Sequence, residues 1–181
     1  CWVLKCDIKK FFANIDHKIL KNILRRYMQD EDTLGLLENI ISSFEKGLPL
    51  GNLTSQLLIN VYMNEFDQFI KHKLKVRYYI RYADDFVILS SNRIFLEEVL
   101  VRVSEFLESN LKLQLHPDKV FIKTLASGVD FLGWVHFPKH RVLRTATKRR
   151  MIRNTESNFS ENTIQSYLGM LKHGNTYKLS E

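Results

Sequence analysis

The sequence predicts an α+β fold in which helices pack on one face of an antiparallel sheet, and three observations carry that expectation. Two stretches rich in β-branched and aromatic residues, "WVLKCDI" at the start and "VRYYIRYADDFVILSS" at 76–91, read as strands. Apolar residues recur at helical spacing over 17–27, 33–44, 54–74 and 92–109. The resulting order, strand, helices, hairpin, helix, strands, is that of an α+β layer.

The first strand is almost continuously apolar, so burial on both of its faces is expected. Asp16 is placed to cap a helix with Ile19, Leu20, Ile23, Leu24 and Tyr27 turned inward. A second helix sets Leu34, Leu37, Ile40, Ile41 and Phe44 on one face and ends at "KGLPLGN". The third is longer and more apolar, with Leu57, Leu58, Val61, Tyr62, Phe66, Phe69 and Ile70 directed to the core. The stretch 76–91 then reads as a hairpin turning at "ADD". Asn92 caps a helix with Leu96, Val99, Leu100, Val103, Phe106 and Leu107 inward, and "KVFIKTLASGVDFLGWVHF" resumes strands broken at "SG" and Gly133. Beyond Pro138 come short basic, amphipathic helices, which divides the chain into a body at 1–142 and a basic helical segment at 143–181.

The bulk composition suits a globular domain with an appendage: 181 residues, 45% hydrophobic and 26% charged. No stretch approaches the roughly 20 apolar residues of a membrane span, so no membrane partner is expected and a cytoplasmic location is the default. Cys1 and Cys6 are the only cysteines, and an offset of five on a strand puts them on opposite faces, against a disulfide framework or a zinc site. The chain opens on Cys1 in mid-strand, which reads as a piece of something longer. The net charge of +7 is local: from Lys139 onward nine Lys and Arg face three acids, whereas the first 138 residues are nearly neutral. A basic region of this kind suits a polyanion, although a charge run is as often a solvated helix face.

Asp84 and Asp85 stand side by side in an apolar run, and Asp7 ends the first strand. If the two strands are neighbours, three carboxylates meet at one sheet edge and repel one another unless divalent cations fill the space. Hard oxygen ligands with room for water or phosphate suit Mg²⁺, and a pair of such ions about 4 Å apart serves phosphoryl transfer. On spacing alone, an "ADD" turn is more often simply solvated.

The motifs "CDIKKFFANIDH", "GLPLGNLTSQLLINVYMNEFD", "YADD", "LHPDKV" and "FLGW" stand in one order over nearly the whole chain. Together they resemble the palm of reverse transcriptases, of the bacterial group II intron-like branch. The resemblance implies an RNA-directed DNA polymerase palm with finger-side helices at about 17–46, the start of a helical thumb, and the N-terminal fingers missing. It implies Asp7, Asp84 and Asp85 as catalytic carboxylates and metal ligands, with the Ile8 carbonyl as a further ligand, for two Mg²⁺ that Mn²⁺ can replace. Phe12 matches the aromatic gate against a 2′-hydroxyl, and Leu50, Gly51, Ser55, Gln56 and Lys119 fall at the nucleotide. Phe131, Leu132, Gly133 and Trp134 match the primer grip, and Arg149 and Arg150, with Tyr167, Lys172, His173 and Asn175, fall on the thumb.

Leu50 and Gln56 stand where most relatives have glutamine and proline. That variant resembles the reverse transcriptases of diversity-generating retroelements, with retron-like enzymes as the alternative. The implied partners are an RNA template, a DNA or RNA primer, a deoxynucleoside triphosphate and an accessory protein. Two rival readings stay open: a non-catalytic RNA-binding palm, including a maturase-type splicing cofactor, and a different palm enzyme that does not need a primer. Three retained acids argue against pure polyanion binding.

Overall fold

A computed structural model describes residues 1–157 and 160–175. The chain divides into two compact units, Trp2–Ile122 and, together with Cys1, the residues from Lys123 onward. The first unit is built on a sheet of order β2-β3-β1-β4, comprising β1 (Trp2–Asp7), β2 (Tyr78–Tyr82), β3 (Asp85–Ser90) and β4 (Phe121–Thr124), with the boundary between units falling inside β4. β1 and β2 both run antiparallel to β3, with Leu4 opposite Ile88, Asp7 opposite Asp85 and Tyr82 opposite Asp85.

Alternation along these strands gives the sheet two chemically different faces. Leu4, Cys6, Ile8, Phe86 and Ile88 point to one side and are almost completely buried. Four helices supply that core: α1 (His17–Tyr27), α2 (Glu31–Ser42), α3 (Leu53–Gln68) and α4 (Arg93–Leu111). Phe66 of α3 meets Phe86 edge-on at 5.1 Å and Tyr79 at 6.2 Å, so the aromatic centre of the core spans helix and sheet. Tyr62, also fully buried, donates its hydroxyl to the Leu111 carbonyl at 2.6 Å, which satisfies an acceptor at the C-terminal end of α4. The opposite sheet face carries Val3, Lys5 and Asp7 on β1, so the expectation that β1 is buried on both sides is corrected. Of these only Val3 is fully buried, while the charged Lys5 and Asp7 side chains keep 16% and 17% of their surface exposed.

Helix starts follow their caps. Asp16 accepts from the Lys18 and Ile19 amides, Asn52 from Thr54, and Asn92 from Ile94 and Phe95. Leu20, Ile23 and Leu24 turn inward as predicted, but Tyr27 is 61% exposed and its hydroxyl reaches Glu65. In α3 the inward stripe is Leu58, Ile59, Tyr62, Met63 and Phe66, leaving Leu57 63% exposed. The stripe lies one residue round the helix from the spacing expected, because Ser55 and Ile59, rather than Leu57, face the core. After Gln68 the helix widens into a single π-helical turn, Phe69–Lys73, which brings Phe69 onto Phe106 of α4 at 4.1 Å.

In the second unit β5 (Val129–Phe131), β6 (Trp134–His136) and β7 (Arg141–Leu143) form a separate antiparallel sheet in that order. Two helices follow, α5 (Thr145–Ser157) and α6 (Glu161–Leu171). Trp134, Leu143, Met151 and Leu171 make its small core, with Tyr167, Leu168 and Met170 packed against it. The part of the basic segment at 176–181 lies outside the described residues.

Asp16 yields a prediction for the fold. Burial opposes its ionisation, but hydrogen bonds from Lys112, Ile19 and Lys18 outweigh it and lower its pKa. Its contribution is therefore present above the ordinary carboxylate range and fades as pH falls through the lowered value. Asp16→Ala should cost about 1 kcal/mol at neutral pH, with the difference from wild type shrinking below about pH 4, as read by denaturant unfolding at both pH values.

Candidate active site

The β2–β3 hairpin closes through two residues, Ala83 and Asp84, since Tyr82 pairs directly with Asp85. Only part of "ADD" is therefore turn: Asp85 already belongs to β3. Ala83 has φ +52°, the left-handed region that an alanine adopts at a cost of roughly 1 kcal/mol. The turn is held against β1 by the Ile8 amide, which donates to the Asp84 carbonyl at 3.2 Å. Asp85 lies directly across from Asp7, and Asp84 projects from the adjoining turn, so the strand register gathers all three carboxylates at one sheet edge.

Two lysines answer this charge. Lys119 Nζ sits 3.2 Å from both oxygens of Asp7. It is brought there because residues 114–119 are fastened to the end of β1: the Lys9 amide donates to Gln114 O at 2.8 Å and the His116 amide to Asp7 O at 2.7 Å. A short turn, Pro117–Lys119, then carries the lysine back over the carboxylate. Lys5, two residues before Asp7 and on the same face, pairs with Asp85 Oδ2 at 3.3 Å. Lys5 escaped the sequence reading, although the period-2 rule places it beside the carboxylates.

Among the described residues Asp84 is the one of the three acids that forms no salt bridge, although Lys119 and Lys5 are near enough to favour its charged form. Burial chiefly raises its pKa, its own backbone amide opposes that, and Asp7 adds to it. Burial also raises the pKa of Asp85, against the pull of Lys5 and with help from Asp7 and Asp84. Asp85 Oδ1 is buried with no hydrogen-bond partner. An orphaned carboxylate oxygen beside two further acids is a donor set that suits a hard divalent cation. Among the described residues, however, no three such side chains are already arranged as a metal cluster. Lys119 and Lys5 instead pair with Asp7 and Asp85 and offset part of the acidic charge.

The loop expected at the nucleotide is tied to the Phe12 region. Phe12 is half-buried and meets Phe11 edge-on at 5.6 Å; its carbonyl accepts from the Leu48 amide at 2.8 Å. His17 Nε2 donates to Gly47 O at 2.6 Å. Gly47, at φ +61°, lies so close that a Cβ would stand 2.3 Å from the Phe12 oxygen, which makes it the glycine that a close approach requires. Gly51, expected to allow close backbone approach, has φ +81° with open space around it, so its requirement is conformational. Leu50 is 78% exposed and Gln56 is exposed, while Ser55 is buried with its hydroxyl unpaired near the start of α3. Leu53, at 80% exposure, extends the apolar surface of this loop and was not singled out from the sequence.

The remaining candidates belong to the second unit. Leu132 and Gly133 form the two-residue turn between β5 and β6 with φ +52° and +82°. Leu132 is half-exposed at that tip, whereas Phe131 and Trp134 are buried in the unit, Trp134 beneath the Arg141 guanidinium at 5.2 Å. Arg149 and Arg150 are exposed on α5. Tyr167 accepts a hydrogen bond from Asn154 at 3.0 Å, the Asn175 amide donates to Arg141 O at 2.9 Å, and Lys172 and His173 lie exposed beyond α6. No helix among the described residues is long and apolar enough to cross a membrane.

An antiparallel sheet backed by helices, with a two-residue hairpin delivering aspartates beside a third on the neighbouring strand, is the palm of a nucleic-acid polymerase. The family model for reverse transcriptase (RNA-dependent DNA polymerase) matches residues 1–136, and the chain belongs to that family. Protein YkfC of Escherichia coli K12 is 28% identical over 81% of this chain and 48% of its own length. The group II intron-encoded protein LtrA of Lactococcus lactis subsp. cremoris is 23% identical over 82% of this chain and 36% of its own. The retron Ec73 reverse transcriptase of E. coli is 31% identical over half of this chain. These relatives agree with the bacterial branch expected from the motifs, and the chain spans at most about half of their lengths. The fold is shared with telomerase from Candida albicans, solved with a fragment of telomeric RNA, at a TM-score of 0.56, 13% identity and coverage of 74% of this chain and 30% of that one.

The carboxylate pKa shifts set the sign of a pH effect. Where folded pKa values exceed unfolded ones, the native state holds protons that the unfolded chain has released, so metal-free stability falls as pH rises through that window. Asp84→Asn should therefore melt roughly 2–4 °C higher than wild type at neutral pH in EDTA. A lower melting temperature would mean that Asp84 is stabilising where it stands.

Proposed function

We propose that this chain is the palm and first part of the thumb of an RNA-directed DNA polymerase. The observation that carries the reading is the register that sets Asp7 across from Asp85 with Asp84 in the adjoining turn. In the reaction, a primer 3′-oxygen forms a bond to the α-phosphorus of a deoxynucleoside triphosphate as the bond to the β-phosphate oxygen breaks. The 3′-hydroxyl gives up its proton and pyrophosphate leaves. Asp7, Asp84, Asp85 and the Ile8 carbonyl would hold two Mg²⁺, or Mn²⁺, whose chemistry when bound is to acidify the 3′-hydroxyl and neutralise the leaving group.

The chain's own groups do the rest. Lys119, already at this edge, is placed to neutralise or protonate the leaving pyrophosphate once Asp7 is otherwise occupied. The Phe12 ring bars a 2′-hydroxyl by bulk, which selects the deoxynucleotide. Leu50, Gly51 and Gln56 border the nucleotide, Leu132 and Gly133 present the grip to the primer, and Arg149 and Arg150 meet the phosphates of the RNA template and primer duplex. The "LG…SQ" variant supports an error-prone, retroelement-type enzyme. An RNA-binding or maturase role is a second reading, supported by the exposed basic run Lys148, Arg149 and Arg150 on α5.

Primer extension by the whole protein, with an RNA template, a DNA primer, deoxynucleotides and Mg²⁺, separates these readings. Wild type should extend, Asp84→Asn should lose at least about a thousandfold, and Phe12→Ala should accept ribonucleotides at least about tenfold better. No extension by wild type, or equal extension by Asp84→Asn, would overturn this reading; with no extension, the binding role and a palm enzyme that does not use such a primer are what remain.

A further inference from the structure

Arg81 is the one Lys or Arg between Tyr78 and Ser90, the two ends of the paired strands, yet it lies on the face opposite Lys5 and Asp7. It shares the helix-facing side of β2 with Tyr79, and its side chain is only 9% exposed. Its guanidinium makes a two-pronged contact with Asp67 of α3, Nε to Oδ1 at 2.8 Å and Nη2 to Oδ2 at 2.6 Å. Asp67 is fixed further by the Tyr79 hydroxyl, which donates to Oδ1 at 2.6 Å. The remaining nitrogen, Nη1, donates to the Ala83 carbonyl at 3.1 Å and reaches Asn60 Oδ1 at 3.5 Å. Asn60 in turn donates from Nδ2 to the Gln56 carbonyl at 3.0 Å. One planar group thus touches α3 at two positions nearly two turns apart and also holds the strained residue of the catalytic turn.

We propose that Arg81, locked by Asp67, is a positioning residue of the polymerase site. It fixes the Ala83 carbonyl and so sets the turn that presents Asp84 relative to α3, the helix whose start carries Ser55 and Gln56. This rests on the polymerase reading above. An ion pair serving only to join β2 to α3 would need no bond to the turn, and replacing such pairs with apolar residues is often neutral. The third hydrogen bond is directed at the one residue of the hairpin whose backbone is held in an unfavourable region, which persists only where its surroundings enforce it. The geometry also requires arginine: lysine keeps the charge but cannot make the paired contact and the turn contact together.

The test uses Arg81→Lys and Asp67→Asn in the whole protein, two mild changes that spare the rest of the core. The Ile8 amide, bonded to Asp84 O, reports the seating of the turn without any need for catalysis. Its hydrogen exchange should quicken by about tenfold or more in both variants, while Leu4 and Ile88 at the sheet centre exchange as in wild type. In primer extension kcat should fall by about tenfold or more, with KM for the deoxynucleotide changed less than about threefold. Unchanged exchange at Ile8, or equal acceleration across the whole sheet, would overturn the proposal and leave Arg81 a purely structural residue. A wild type that exchanges as described but does not extend primers would sink the polymerase reading and not the clamp.

Discussion

Three carboxylates gathered at one sheet edge are the constraint on which this palm is built. Antiparallel pairing fixes Asp7 across from Asp85, and a slip of one residue would turn the whole acidic face into the helix-covered core. The apolar side opposes that slip, which would turn Leu4, Cys6 and Ile8, or Phe86 and Ile88, out of the core. The core thus specifies the site, and the site weakens the core in return. Lys5 and Lys119 balance part of the acidic charge, yet among the described residues Asp84 has no salt bridge and one oxygen of Asp85 has no hydrogen-bond partner. Such a local conflict between stability and arrangement is what a functional site shows when its ligand is positively charged.

The connections around the edge share one logic. Residues 114–119 are tied to β1 by backbone hydrogen bonds and bring Lys119 to Asp7. The "KGLPLGN" loop is tied to Phe12 by the Leu48 amide and by the close approach of Gly47. The hairpin turn is tied to β1 through Ile8 and to α3 through Arg81. Asp7 and Asp85 stand on the strands themselves, and Asp84, Lys119, Leu50 and Gly51 sit on turns or loops whose backbone is fastened to a rigid strand or to the segment beside it, which is how loops come to place chemistry with precision.

Much of this was legible in the sequence because it rests on local rules. Caps at Asp16 and Asn92, helical spacing, and a hairpin centred on the aspartates are short-range signals, and the motifs pointed to the reverse transcriptase family; the Asn52 cap of α3 was not read from the sequence. What escaped depends on contacts distant in sequence. Tyr27 and Leu57 fit a helical stripe but fall outside it, because the neighbouring helices fix the inward direction more finely than spacing does. The open face of β1 was hidden by its apolar composition, since Val3 fills a position beside Lys5 and Asp7. Arg81 stands only three residues before Asp84, but alternation along β2 sends it to the other face, and its partner Asp67 lies 14 residues away on α3. The turn was read one residue too long because Asp85 already pairs with Asp7 and Tyr82.

On the proposed reading, divalent cations displace the lysines from this acidic edge. Crystals of the whole protein grown with Mn²⁺ and measured at the manganese absorption edge test it directly. Anomalous density is expected between Asp7, the Ile8 carbonyl and Asp84, with Lys119 withdrawn from Asp7. Crystals saturated with Mn²⁺ that show no density there, with Lys119 still on Asp7, would contradict it.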